Sequence, residues 1–241
     1  MSDRFLPDVM LLAAGLGRRM LPLTETTPKP LLEVAGKPLL DRVVANAWAE
    51  GLTRFAINTH YLGPQVAAHA RTLERRYAGI TIKVSDESDQ LLDTGGGLKR
   101  ALPLLATDPV LVMNTDAFWP QGADAPLGRL TDLYGFKGAE LALLCVQPRR
   151  ASGMRHSHDF CLAPDAAITN DRGQPVLYAG VALISAAVVA AAPDGPFSLY
   201  RLMEEALERG TVHGLVLDAP WFHVGDPHGL AEAEARLRAT A

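Results

Sequence analysis

Cysteine is nearly missing from this chain, since only Cys145 and Cys161 occur among its 241 residues. Two cysteines provide neither a disulfide framework nor a cysteine-based metal cluster. Long hydrophobic stretches are missing as well, because the longest uncharged apolar run, residues 179–192, is too short for a transmembrane helix. We therefore expect a protein of a reducing compartment that does not cross a membrane.

The chain also lacks an excess of positive charge. Its 23 Lys and Arg residues against 27 Asp and Glu residues give a net charge of −4, which argues against nucleic acid or a membrane surface as a partner. Residues 1–8 contain acidic side chains and no apolar core, unlike a secretion signal. These features predict a cytoplasmic protein, either a monomer or a small homo-oligomer.

Short apolar runs alternate with helical patterns in the first half of the chain. Strands are expected at residues 9–14, 54–58, 80–84 and 109–113, and helices at 38–50, 63–76 and 98–104. This alternation is typical of a parallel sheet with helices on both faces. The second half predicts strands at 140–146, 159–162, 176–184 and 212–217, with helices at 199–209 and 227–239. We expect one α/β domain over residues 1–241.

A glycine-containing loop follows the first expected strand. Its own net charge is positive, whereas that of the whole chain is negative. Residues 15–30 carry three cations, Arg18, Arg19 and Lys29, against one anion, Glu25. Small glycines let backbone N–H groups approach a phosphate, and such cations neutralise it. A solvated glycine turn with surface arginines is the alternative. Neither the dinucleotide-binding fingerprint nor the P-loop motif is met, because the required third glycine and the Gly-Lys-Ser/Thr ending are missing.

Two further segments place polar residues after expected strands. Asn114 and Asp116 follow one buried strand, where a carboxylate can hold a divalent metal against a phosphate. An Asx turn or a helix cap is the alternative for Asp116. Near the C-terminus, Asp226 precedes Pro227 and fits an ordinary helix N-cap, while a lone histidine such as His223 is more often packed than catalytic.

The acidic segment between the third expected strand and the next helix is residues 86–93. It contains Asp86, Glu87, Asp89 and Asp93. Carboxylates beside a nucleotide triphosphate would repel it without a metal. We therefore expect most of this segment to be a solvated loop.

Together these segments resemble the sugar-phosphate nucleotidyltransferases over nearly the whole chain. The matching motifs, in the order and spacing of that family, are Leu12-Ala13-Ala14-Gly15-x-Gly17-x-Arg19-Met20, Thr27-Pro28-Lys29-Pro30, Leu92-Asp93-Thr94-Gly95-Gly96-Gly97, Asn114-Thr115-Asp116 and Val224-Gly225. The resemblance implies a Rossmann-like three-layer α/β/α domain with a mixed, mainly parallel central sheet. It also implies a nucleotide-binding half, residues 1–120, and a sugar-binding half, residues 121–241.

The resemblance implies transfer of a nucleotidyl group to a sugar 1-phosphate, with release of pyrophosphate. Arg19 would hold the phosphates that leave, and Lys29 would bridge the α-phosphate and the sugar phosphate. The nucleotide-binding residues would be Leu12, Ala13, Ala14, Gly15, Leu16, Gly17, Gly95, Gly96 and Asn114.

The resemblance further implies a metal cofactor, Mg²⁺ or alternatively Mn²⁺, bound by Asp116. The last family motif usually supplies a second carboxylate, but His223 stands there, with Asp226 in place of the usual threonine. Both are therefore candidate metal ligands. Asp159 and Gly180 are the candidate sugar-binding residues. The family usually has a smaller residue at the position of Thr115, beside the metal pocket.

The resemblance implies UTP and N-acetylmuramate α-1-phosphate as the substrates. Mannose 1-phosphate with GTP, or glucose 1-phosphate with UTP, is the alternative pair for an enzyme of this kind. A nucleotide-binding regulatory module with weak catalysis is a second alternative, motivated by His223.

Overall fold

The computed structural model describes residues 5–239. Residues 1–4 lie outside the described part of the chain. They are the first half of the segment, residues 1–8, that was compared with a secretion signal. The helices are α1 (Leu39–Ala49), α2 (Gly63–Arg76), α3 (Asp93–Ala101), α4 (Pro126–Lys137), α5 (Ala186–Ala191), α6 (Leu199–Arg209) and α7 (Pro227–Ala239). Within the described residues, no helix is both long enough and apolar enough to cross a bilayer.

Most strands belong to one nine-stranded sheet. In chain order the strands are β1 (Val9–Leu12), β2 (Glu33–Val34), β3 (Lys37–Pro38), β4 (Arg54–Thr59), β5 (Thr81–Asp86), β6 (Val110–Asn114), β7 (Ala117–Phe118), β8 (Leu141–Val146), β9 (Ala151–Ser152), β10 (Phe160–Leu162), β11 (Ile168–Thr169), β12 (Gln174–Ile184), β13 (Val212–Val216) and β14 (Trp221–His223). The main sheet runs β11-β10-β12-β6-β1-β4-β5, and β8 joins β12 to β13.

The centre of the sheet is parallel. Strand β1 lies between β4 and β6, and both pairs are parallel, as are β4–β5 and β8–β13. Strand β12 is antiparallel to β6, β8 and β10, which makes the sheet mixed. Because β1, β4 and β6 are parallel neighbours, their carboxyl ends lie at one edge, where open α/β sheets bind ligands.

Helices cover both faces of the sheet. One buried cluster packs α1, α2 and α4 on the sheet through residues such as Val43, Val66 and Leu130. The other packs α3, α5 and α6 through Leu98 and Met203, among others. This arrangement follows from strands that are apolar on both faces, such as β6 and β8, because both surfaces must be buried. The predicted three-layer α/β/α fold with a mixed central sheet is confirmed.

The structure corrects the predicted start of α3 and adds two helices, α4 and α5, that were not predicted. Helix α3 begins at Asp93 and contains the three glycines, whereas the sequence predicted a start at residue 98. The N–H groups of Gly95 and Gly96 both donate to Phe197 O, so a distant loop completes the first turn. Helix α4 was not predicted, although Pro126 lies in its first turn and Gly138 ends it in the left-handed conformation.

A buried ionic network fastens α2 to α1. Asp41 is 1% exposed and accepts hydrogen bonds from His69 Nε2 and Arg76 Nη1. Burial raises the pKa of Asp41, but His69 and Arg76 outweigh it, so the pKa lies below its usual value. A carboxyl whose pKa is lowered on folding stabilises the protein above its unfolded pKa and loses that contribution as the pH falls.

We therefore expect Asp41→Asn to lower the free energy of unfolding by about 2 kcal/mol at pH 7, because hydrogen bonds to a charged group are lost. The deficit should shrink as the pH falls from the unfolded carboxyl pKa through the lower folded one, since the ionised wild-type carboxyl then contributes progressively less to stability. Urea unfolding at pH 7 and at acidic pH measures both effects. The exposed Asp171 provides the matched control, Asp171→Asn, and equal stabilities at pH 7 would contradict the stabilising role of this network.

Candidate functional site

A cavity of about 690 Å³ opens at the carboxyl ends of β1 and β6. This volume is in the range of pockets that bind small molecules. Its lining residues are Leu12, Ala13, Ala14, Gly15, Leu16, Gly17, Arg18, Arg19, Lys29, Pro30, Asn58, Leu91, Asp93, Thr94, Asn114, Thr115, Asp116 and Gly225. The cavity therefore brings together the glycine loop, both predicted catalytic cations and the Asn114–Asp116 segment.

The glycine loop is held open by a left-handed turn at Gly17. Gly17 has φ +63°, and its carbonyl accepts a hydrogen bond from Thr24 Oγ1 at 2.9 Å. A Cβ atom at this position would lie 2.8 Å from Thr24 Cγ2, so a side chain is excluded by both conformation and space. The following turn buries Met20 and leaves Arg18 and Arg19 exposed, at the rim of the cavity.

Lys29 and Asp116 form an ion pair inside the cavity. Lys29 Nζ donates to Asp116 Oδ2 at 2.5 Å, and their side chains are 14% and 23% exposed. The lysine lies in a short turn, Lys29–Leu31, and Asp116 follows β6. The two residues are far apart in the sequence, so the pair depends on packing between the loop and the sheet.

His223 lies beside the same carboxylate because strand β14 pairs with β7. The register places His223 opposite Ala117, and Val224 N donates to Asp116 O at 2.8 Å. His223 Nε2 is 3.6 Å from Asp116 Oδ2, and the ring stacks on Trp221 with an interplanar angle of 4°. A Cβ atom at Gly225 would lie 2.5 Å from His223 Cε1, so a side chain there would displace the ring.

The carboxyl group of Asp116 remains ionised in this environment. Burial raises its pKa, but the Lys29 ammonium and the His223 ring more than compensate, and the pKa lies well below its usual range. The site therefore presents a permanent negative charge next to a cation. An ionised carboxylate is the state that a divalent metal requires of a ligand.

Asp116 is suited to bind a divalent metal together with substrate phosphates. Among the described residues, no group of three or more His, Cys, Asp or Glu side chains is placed to hold a metal. Mg²⁺ does not need such a cage, because it usually binds through one or two carboxylates, substrate phosphates and water. Asp116 fits that pattern. The 3.6 Å between His223 Nε2 and Asp116 Oδ2 is also within the roughly 4.2 Å that two ligands at about 2.1 Å can span.

Within the described residues, His223 lacks the outer hydrogen bond usual for a metal-binding histidine. Its Nδ1 atom is buried without a partner among those residues, whereas a ligating imidazole normally donates its second N–H to an acceptor. The ring is instead oriented by the stack on Trp221. Nitrogen is also a poorer ligand than oxygen for Mg²⁺.

Asp226 caps helix α7 and pairs with an arginine. Its Oδ1 accepts Gly229 N at 2.9 Å and caps α7, while its Oδ2 pairs with Arg155 at 2.7 Å. Both carboxylate oxygens therefore have partners, and the residue does not line the cavity. These contacts favour the helix-cap alternative for Asp226, and metal binding by this residue stays a prediction.

Gly95 and Gly96 lie outside the cavity lining, where packing accounts for the absence of side chains. A Cβ atom at Gly95 would overlap the Phe197 ring, and one at Gly96 would overlap the Gly195 carbonyl. Asp93 and Thr94 line the cavity in their place. Nucleotide contacts of Gly95 and Gly96 stay a prediction.

The predicted sugar-binding residues also lie beyond the cavity lining. Asp159 Oδ2 accepts Tyr178 N at 2.8 Å, and Asp159 Oδ1 is 2.7 Å from His156 Nε2. Gly180 has φ +77° at an irregular point of β12, and a Cβ atom there would lie 3.1 Å from Asn114 Cβ. Gly180 therefore lets β12 approach Asn114, and the sugar contacts of both residues stay predictions.

Sequence reasoning missed Asn58 and misjudged Glu87. Asn58 is the second-last residue of β4 and lines the cavity, and Glu87 is completely buried instead of solvated. Asn58 could have been found by the rule that identified Asn114, because both lie at carboxyl ends of central strands. No local signal distinguishes Glu87 from its exposed acidic neighbours.

Comparison with known proteins agrees with this geometry. A family model described as nucleotidyl transferase matches residues 8–150. The chain is similar to N-acetylmuramate alpha-1-phosphate uridylyltransferases of Caulobacter vibrioides, with 38% identity over 95% of this chain and 96% of that protein, and of Neisseria meningitidis serogroup B, with 33% identity over 94% and 96%.

The fold is similar to that of HddC from Yersinia pseudotuberculosis, solved in complex with GMP-PN. The TM-score is 0.74 at 19% identity, over 96% of this chain and 100% of that one. At this level of identity, the similarity concerns the fold. The family match and the two uridylyltransferase relatives confirm the family expected from the sequence motifs, and the chain belongs to the nucleotidyl transferase family.

Proposed function

We propose that this protein transfers a uridylyl group from UTP to N-acetylmuramate α-1-phosphate and releases pyrophosphate. The observation that carries the proposal is the convergence of the glycine loop, Arg19, Lys29 and Asp116 on one cavity. Transfer to a phosphate oxygen needs an in-line arrangement and neutralisation of charge, and little covalent participation by the enzyme. The choice of UTP and of the sugar rests on the two uridylyltransferase relatives.

Each element of the cavity has a defined task in this proposal. The backbone of residues 12–17 and Asn114 hold the nucleotide, and Arg19 holds the two phosphates that leave as pyrophosphate. Lys29 lies between the α-phosphate and the attacking sugar phosphate. All cavity-lining residues except Gly225 precede residue 121, which supports a nucleotide-binding half at residues 1–120 and a sugar-binding half at 121–241.

We further propose Mg²⁺ as the cofactor, held by Asp116 with His223 as its neighbour. A bound divalent cation would neutralise charge on the phosphates of the nucleotide. Asp116 supplies the carboxylate oxygen that such an ion prefers. The imidazole at position 223 favours Mn²⁺ relative to Mg²⁺, since nitrogen donors suit transition metals better.

The variant His223→Asp tests that metal preference. Restoring an oxygen ligand should tighten Mg²⁺ binding roughly tenfold, the lower end of the effects seen when a metal site loses a supporting contact. Isothermal titration of the UTP complex with Mg²⁺ and with Mn²⁺ measures the change. The exposed first turn of α7 offers a matched control, His228→Asp, and unchanged Mg²⁺ affinity in His223→Asp would place His223 outside the metal site.

A pyrophosphate-release assay tests the proposed reaction. It combines UTP, GTP, CTP, ATP and dTTP with the 1-phosphates of N-acetylmuramate, N-acetylglucosamine, glucose and mannose, each with Mg²⁺ and with Mn²⁺. Turnover confined to UTP and N-acetylmuramate 1-phosphate is the expected result. Turnover with another pair would change the substrates and keep the chemistry. No turnover from protein that binds nucleotide would favour a regulatory module.

A further inference from the structure

A chain of buried hydrogen bonds joins two segments that line the cavity. Ala13 N donates to Asn58 Oδ1 at 2.7 Å, and Asn58 Nδ2 donates to Glu87 Oε1 at 2.7 Å. Glu87 Oε2 then accepts Leu92 N at 3.1 Å. Asn58 is 2% exposed and Glu87 is 0% exposed, so water cannot readily replace these bonds. The chain of bonds runs from the loop after β1 to the start of α3.

The direction of every bond in this chain is set by the two backbone groups at its ends. A backbone N–H can only donate, so Asn58 must present its oxygen to Ala13 and its NH₂ group to Glu87. Leu92 N requires an acceptor in the same way. Both oxygens of Glu87 therefore accept hydrogen bonds, which an ionised carboxylate can do and a carboxamide cannot.

The same peptide group of β1 is held from its other side by Thr115. Thr115 Oγ1 donates to Leu12 O at 2.7 Å, and Leu12 O and Ala13 N belong to one peptide group. Asn58 comes from β4 and Thr115 follows β6, the two strands that flank β1. We refer to Asn58, Glu87 and Thr115 as the peptide clamp, because together they hold both polar atoms of the Leu12–Ala13 peptide.

Helix α3 packs directly on the peptide clamp at Gly97. A Cβ atom at Gly97 would lie 2.6 Å from both Asn58 Nδ2 and Glu87 Oε1, so any side chain would displace these groups. Asp93 and Thr94, in the first turn of the same helix, line the cavity. The peptide clamp therefore couples the position of one cavity wall to that of the other.

We infer that Asn58, Glu87 and Thr115 are positioning residues for the nucleotide, acting through the Leu12–Ala13 peptide. This inference rests on the proposed function, in which the backbone that follows this peptide receives the nucleotide. Holding one peptide orientation before binding removes an ordering cost from the binding step. The ligand whose binding the peptide clamp favours is therefore the nucleoside triphosphate and not the sugar phosphate.

The variant Glu87→Gln tests the inference with almost no change of shape. The carboxamide offers one acceptor, so one donor, either the Asn58 amide or Leu92 N, must face another donor. The KM for the nucleotide should rise about tenfold, equivalent to about 1.4 kcal/mol. The kcat at saturating nucleotide and the KM for the sugar 1-phosphate should stay within about threefold, which separates positioning from general damage.

A reciprocal double variant, Asn58→Asp with Glu87→Gln, should restore nucleotide binding. The new carboxylate accepts from Ala13 N and from the new carboxamide, whose oxygen accepts from Leu92 N, so every donor again has an acceptor. Asn58→Asp alone places two carboxylates in contact and should raise the nucleotide KM further. The matched control is Glu74→Gln, because Glu74 on α2 also accepts a backbone N–H, that of Ile82 at 2.8 Å.

Calorimetric titration with UTP in the absence of sugar phosphate provides a readout that does not need turnover. If UTP does not bind the wild type, the tightest of the other four triphosphates takes its place. Unchanged affinity in a folded Glu87→Gln variant overturns the inference, and so does a folded double variant without rescue. If Glu87→Gln does not fold, Thr115→Val tests the same peptide, and unchanged affinity there is equally decisive. Nucleotide binding without turnover in the substrate assay refutes the proposed function alone.

Discussion

Replacing Lys29 by alanine is expected to lower kcat at least about 100-fold, because a preorganised charge at a reacting group contributes roughly 3–4 kcal/mol. The lysine is only 14% exposed and lies at 2.5 Å from Asp116, so its position is set before substrate enters. In the proposed reaction its ammonium group neutralises the phosphates between which the new bond forms. Loss of the ammonium group should therefore affect the chemical step more than nucleotide binding.

Pyrophosphate release at saturating concentrations of both substrates measures this loss. Lys83→Ala is the matched control, because that lysine is exposed and donates to Leu104 O, away from the cavity. Lys29→Arg should recover part of the activity, since it retains the charge in a different geometry. A decrease in kcat of less than about threefold in Lys29→Ala would show that this lysine does not act on the transferred phosphate.

Replacing Asp116 by asparagine is expected to lower metal-dependent turnover at least about 1,000-fold, equivalent to about 4 kcal/mol. The substitution keeps the shape of the side chain and removes the negative charge that Lys29, His223 and the proposed metal share. Stabilisation of charge by a bound metal is worth several kcal/mol in the transition state. The metal should therefore bind weakly, and the phosphates should lose their counter-charge.

Electron paramagnetic resonance of Mn²⁺ separates metal binding from catalysis in this variant. The wild-type protein with UTP should broaden the Mn²⁺ signal. At the same protein concentrations, Asp116→Asn with UTP should not broaden it. The control is again the exposed Asp171→Asn. An unchanged Mn²⁺ titration in Asp116→Asn would contradict the assignment of Asp116 as a ligand, whatever happens to turnover.

Local patterns in the sequence account for most of the sheet and for half of the cavity. The buried strands β1 and β6 appear as continuous apolar runs, and the loop residues Gly17, Arg19 and Lys29 follow the first of them directly. The strands depend on near neighbours in the chain, so periodicity is enough to recognise them, whereas the roles of the loop residues were implied by the resemblance to the family. Helix α4 had such signals too, in Pro126 and Gly138, and was nevertheless overlooked.

The glycines of α3 show why local propensity can mislead. Three consecutive glycines disfavour a helix, and the sequence therefore predicted a loop before residue 98. The helix is supported because Phe197 O accepts hydrogen bonds from two of its N–H groups. Glycine occupies these positions because the Gly195–Phe197 segment and Glu87 leave no room for side chains. Tertiary packing thus outweighs a cost of about 1 kcal/mol per glycine.

The chemical groups of the site, and the strand ends on which they lie, follow from the order of residues alone. Their partners do not. Asp116 meets Lys29 and His223, Asp226 turns away to cap α7, and the buried Glu87 holds Asn58. Each of these contacts joins or separates segments according to sheet pairing and helix packing. Hydrogen bonds and ion pairs form only over a few ångströms, so their partners depend on how distant segments come together in the folded chain.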